Sequence, residues 1–88
     1  MDGDSIRARI EHEVAELRAR YPEMTRCDTA LSMRTQAGAT RHSLYLDMHW
    51  PQSQILLPGP AMQDAGAAID AAFHEARSRI DQARWAIR

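Results

Sequence analysis

The apolar residues change period twice along the chain, and that pattern limits the folds open to it. Ile6, Ile10, Val14, Leu17 and Tyr21 recur at steps of four, four, three and four, the one-sided stripe of an amphipathic helix. From residue 25 the period drops to two, as in a half-buried strand. From residue 64 it returns to three and four, through Ile69, Phe73, Ala76, Ile80, Ala83 and Ile87. Helices of this kind must bury their stripes, and the one apolar side of a short antiparallel sheet is the surface available. The order predicts an α+β domain of two layers, helix-strand-strand-strand-helix, with both helices on one face of a small antiparallel sheet.

The punctuation agrees with the periods. The first helix is expected over residues 4–21, capped by Asp4 or Ser5 and stopped by Pro22. Its other faces carry Arg7–Glu11, Arg9–Glu13 and Glu16–Arg20 as pairs one turn apart. A strand over residues 25–34 places Cys27, Thr29, Leu31 and Met33 on one side, and residues 35–40 supply a Gly-containing hairpin loop. A second strand over 41–50 places His42, Leu44, Leu46, Met48 and Trp50 on one side and Arg41, Ser43, Tyr45, Asp47 and His49 on the other. A short third strand, 54–57, ends at Pro58-Gly59-Pro60, and the prolines mark it as an end or an edge. Asp64 is the expected N-cap of a last helix over 64–87.

Eighty-eight residues form one domain, residues 1–88. A hydrophobic fraction of 44% with 26% charged residues argues against a disordered chain. No apolar run approaches the ~18 residues of a membrane span. The first twenty residues lack the basic start and apolar core of a secretion signal. With a single cysteine, Cys27, no internal disulfide is available, so a cytoplasmic protein with no membrane partner is the default expectation. All eleven basic residues are arginine against twelve acidic ones, for a net charge of −1, a poor starting point for strong nucleic-acid binding.

Chemistry-bearing clusters are few. His12, His42, His49 and His74 show no metal-ligand spacing, and Cys27 has no zinc-spaced partner, so no metal site and no cofactor are expected. Cys27 lies on the apolar side of a strand without a visible base, which gives no nucleophile. Asp28 and Asp47 are expected to pair with Arg26, Arg34 or Arg41 across strands. Two basic groupings remain. Arg77, Arg79, Arg84 and Arg88 surround Asp81 on the last helix, and Arg26, Arg34, Arg41, Tyr45 and His49 share the outer side of the sheet. Arginine suits a helix C-terminus through the dipole alone, and it also contacts phosphate. Trp50 and Trp85 are apolar bulk for a core or a subunit contact.

The segment Met62-Gln63-Asp64-Ala65-Gly66-Ala67-Ala68-Ile69-Asp70-Ala71-Ala72-Phe73 resembles the opening of the last helix in the ribosome hibernation-promoting factor and ribosome-associated inhibitor family (the sigma-54 modulation family). The first helix with its aromatic end, Tyr21-Pro22, is also similar. The resemblance covers about residues 4–84, and its specific part is Asp64 with Ala67 to Asp70. It implies a ribosome-associated-inhibitor-like domain with no catalytic residues and no cofactor. Such a domain binds ribosomal RNA phosphates of the small ribosomal subunit and represses translation in stressed cells. By position, Arg34, Arg41, Arg77, Arg79 and Arg84 are the RNA-binding candidates. Three features depart from the family pattern. The family's first strand is missing, Gly66 replaces an aromatic residue, and basic residues are sparse. The competing expectation is a homo-oligomeric protein–protein interaction module that kept the fold and lost RNA binding. It would form a homodimer through an exposed sheet edge, with Trp50 and Trp85 as contact candidates.

Overall fold

The computed structural model describes residues 3–86, with side chains over residues 4–83. Five elements follow in order: α1 (Gly3–Arg20), β1 (Arg26–Gln36), β2 (Ala39–Trp50), β3 (Ser53–Pro58) and α2 (Ala65–Ala86). The three strands form one antiparallel sheet in the order β1-β2-β3, and both helices lie on one side of it. This is the expected α+β architecture.

The buried residues show why the periods worked. Leu44, Leu46 and Met48 of β2 and Leu57 of β3 join Leu17, Tyr21, Ile69, Phe73, Ala76 and Ile80 in one core, with Ile6, Ile10 and Val14 packed against it. Burying a large apolar side chain of this kind is worth roughly 1.5–3 kcal/mol. Asp64 caps α2 as expected: its Oδ2 accepts the Ala67 N–H at 2.9 Å. Asp4 lies inside the first turn of α1, where it suits the helix dipole.

The two helices run parallel. Arg9 pairs with Asp70, Glu13 with Arg77 at 3.8 Å, and Arg20 with Asp81 at 3.9 Å, so the contacts advance together along both helices. These side chains tie α1 to α2 instead of forming the pairs along α1 that their spacing suggested. The reason is that α1 packs against α2 as well as against β1, so its charged flank faces the second helix.

The hairpin between β1 and β2 is tighter than the sequence implied. Gln36 pairs with Ala39, leaving only Ala37 and Gly38 in the loop, at φ 53° and 80°. Two successive positive φ values give a turn whose twist matches the strands. The strands therefore absorb most of residues 35–40. At about 3.4 Å per residue, β2 with its 12 residues outruns β3, which pairs with it only from Tyr45 to Trp50. Beyond β3 the chain stays beside β2: Gly59 donates to the Leu44 carbonyl at 3.0 Å, and His42 and Met62 exchange backbone bonds of 2.7 and 2.8 Å.

Candidate interaction surface

Those bonds fix the direction of every peptide group in the sheet. In an antiparallel ladder, successive residues turn their N–H and C=O alternately to one neighbour and the other. His42 and Leu44 turn theirs toward the β3 side, so the odd-numbered residues of β2 turn toward β1. Their register partners are the even-numbered residues Arg26 to Gln36. The odd-numbered residues Cys27, Thr29, Leu31, Met33 and Thr35 consequently direct their peptide groups out of the sheet, along an edge that no described strand covers.

That edge is bare on its flanks as well. Every residue of β1 except Cys27 is exposed. Leu31 lies opposite the fully buried Leu44, and Met33 opposite His42, so both side chains are on the helix side of the sheet. They are nevertheless 38% and 68% exposed, so the helical layer covers Leu31 only in part and Met33 little.

The outer side of the sheet is arranged in cross-strand rows. Arg26 lies opposite His49, Asp28 opposite Asp47, Ala30 opposite Tyr45, Ser32 opposite Ser43, and Arg34 opposite Arg41. Asp28 and Asp47 are thus opposite each other and not opposite arginines, which corrects the pairing expected from sequence. Arg26 reaches Asp28 along its own strand. Asp47 accepts from Gln54 at 2.7 Å and contacts His49 at 3.0 Å. The Gln54 bond, then the His49 bond, holds the Asp47 carboxyl below its usual range. Ligand atoms of Asp28, Asp47 and His49 lie within 4.8 Å of one another. Sequence spacing did not show this cluster, because Asp28 arrives from a different strand. Its acids are already engaged by Arg26 and Gln54, so the arrangement works as an ion-pair network. Between the charged rows, Ala30, Tyr45, Leu56 and Pro58 form a shallow apolar depression.

The arginine candidates do not converge. Arg34 and Arg41 sit side by side near the hairpin tip, with no ion pair among the described residues. Arg77 and Arg79 are on α2, in the other layer, bound to Glu13 and Glu75 at 3.8 and 3.7 Å. The Arg84 and Trp85 side chains lie outside those described. Trp50 is half-buried on the core at the opposite end of β2 from the hairpin tip, where it walls an open cleft of about 560 Å³ with Tyr21, Ile55, Ile80 and Ala83. Cys27 is half-buried, and burial together with the nearby Asp28 charge pushes its thiol up to about 11, which disfavours the reactive thiolate. Among the described residues, no helix is long and apolar enough to cross a membrane.

Comparison with protein-family models, with curated proteins and with solved structures finds no match for the chain.

Proposed function

We propose that the chain is a non-enzymatic interaction module that self-associates through the β1 edge. One observation carries this reading: β1 offers an eleven-residue edge whose outward peptide groups no described strand meets, flanked by the partly exposed Leu31 and the largely exposed Met33. Natural sheets usually blunt such an edge with proline, charged side chains, a bulge or a covering element. β1 contains no proline, its charges Arg26, Asp28 and Arg34 all lie on the outer side of the sheet, and no described element covers the edge. Strand addition would satisfy the peptide groups and shield both apolar side chains together. Size-exclusion chromatography with light scattering, from micromolar to millimolar chain, tests the proposal. A mass rising toward that of two chains supports it, and a single-chain mass throughout overturns it.

A second reading is favoured by the Arg34–Arg41 pair, two adjacent cations at an exposed tip. It is the ribosome-associated role, in which these arginines contact RNA phosphates of the small subunit and the domain represses translation under stress. The net charge of −1 and the ion-paired state of Arg77 and Arg79 weigh against it. Pelleting with purified small subunits discriminates. Binding that falls steeply with salt and is weakened by Arg34→Glu with Arg41→Glu supports this role. Protein left in the supernatant at low salt excludes it.

A further inference from the structure

Inside one chain the outer side of the sheet carries two unfavourable cross-strand rows: Arg34 opposite Arg41, and Asp28 opposite Asp47. Like charges directly opposite each other destabilise a sheet. Each row has one member on the bare edge strand, and those members, Asp28 and Arg34, are equidistant from Leu31 in sequence. The edge strand is therefore charge-complementary to itself when reversed.

We propose that two copies join antiparallel along β1 with Leu31 of each on the two-fold axis. This rests on the reading of β1 as a self-pairing edge and specifies what that edge meets. About this axis Asp28 faces Arg34 of the second copy, Arg26 faces Gln36, Thr29 faces Met33, and Leu31 faces Leu31. On the outer side, Arg41 and Arg34 of one copy continue into Asp28 and Asp47 of the other, so each like-charge pair gains an opposite-charge neighbour. The symmetry makes two such rows. On the helix side, Leu31 and Met33 gain apolar or methyl-bearing neighbours. Odd-numbered residues remain opposite odd-numbered ones, so the outward peptide groups of both strands are in phase to bond. The product is a continuous six-stranded sheet with all four helices on one side.

Neighbouring registers lose this complementarity. Centring the axis on Ala30 sets Arg26 against Arg34 of the second copy. Centring it on Ser32 sets Asp28 against Gln36 and Arg34 against Ala30. Only the Leu31 axis brings Asp28 to Arg34 in both rows.

A charge swap read by sedimentation equilibrium tests the register. Asp28→Arg and Arg34→Asp alone should each weaken dimerisation by about tenfold or more, since both rows lose attraction and gain repulsion. Combined, they should restore it to near the wild-type value. Each single change also removes a like-charge pair within the chain, and circular dichroism should show the fold retained. As a second probe, Leu31→Cys with Cys27→Ser should give a covalent dimer on oxidation, because Cα atoms about 5.5 Å apart in a bonded pair lie within disulfide range. A wild-type dimer whose double swap fails to recover and whose Leu31→Cys variant fails to cross-link overturns the register but leaves self-association standing. A wild-type chain that stays monomeric at millimolar concentration overturns both.

Discussion

Gly59 and Leu44 meet backbone to backbone. The Gly59 N–H donates to the Leu44 carbonyl at 3.0 Å, and a Cβ on Gly59 would overlap that same oxygen while pressing on the Ala72 Cβ. The close approach lets the chain leave β3 and still lie beneath α2. Gly59→Ala should therefore cost roughly 1–3 kcal/mol through forced overpacking, measured by urea denaturation. Gly38→Ala is the useful contrast. A Cβ there meets open space, but φ is +80°, so its penalty should come from backbone strain alone, about 1 kcal/mol.

The Gly59 contact also marks where sequence reading stops. Gly59 reads as turn chemistry between two prolines, because nothing local reveals that Leu44 and Ala72 crowd it. The helices and strands were legible because their stripes are long. All of Ile6, Ile10, Val14, Leu17 and Tyr21 enter or line the core. The hairpin loop was legible only in outline, since Ala37-Gly38 lacks the Asn-Gly signature of a two-residue turn. That turn sets the register, and the register sets which charges oppose each other. Without it, Asp28 opposite Asp47 and Arg34 opposite Arg41 could not be foreseen. The exposure of Leu31 and Met33 was hidden for another reason. Period two assigned them to the correct side of the sheet but does not report how much of that side the helices cover.

Tyr21 locks the ends of both helices together. It is buried, and its hydroxyl donates to Asp81 at 2.8 Å and accepts from Arg20 Nε at 3.1 Å. Tyr21→Phe should cost about 0.5–1.5 kcal/mol with little change in the fold. Burial, followed by the Asp81 hydrogen bond, raises the phenol above its ordinary value of 10.0. A raised acid stabilises the fold fully below that ordinary value and loses its contribution as pH climbs through it toward the folded value. A phenolate absorbance titration in a Tyr45→Phe background should show Tyr21 ionising above pH 10.

Cys27 should react slowly. With its thiol pushed from 9.0 to about 11, its thiolate fraction near pH 8 is about a hundredfold lower than that of an unperturbed thiol. Alkylation by iodoacetamide should be correspondingly slow and should accelerate with a midpoint near pH 11. Because this folded value is also raised, the thiol's contribution to stability is complete below pH 9 and fades between 9 and 11. A midpoint near 9 would show that Cys27 is not shielded.

Asp47 behaves oppositely. Its carboxyl lies below 3.8, owing first to the Gln54 hydrogen bond and then to His49. A lowered acid contributes stability above its unfolded value and loses it as pH falls through the folded one. Gln54→Ala should raise the Asp47 titration midpoint toward the ordinary carboxylate range, followed by carboxyl carbon NMR. An unchanged midpoint would remove Gln54 as the principal cause.

Amide hydrogen exchange along β1 tests self-pairing most directly, because the ladder separates the strand into two sets. At low concentration the even-numbered residues Asp28 to Gln36, bonded to β2, should exchange slowly, while the Thr29, Leu31 and Met33 amides exchange at nearly unprotected rates. At millimolar concentration these three odd-numbered amides should become protected, with Leu31 at the centre of the protected run. Odd-numbered amides that stay unprotected at every concentration would contradict self-association through β1.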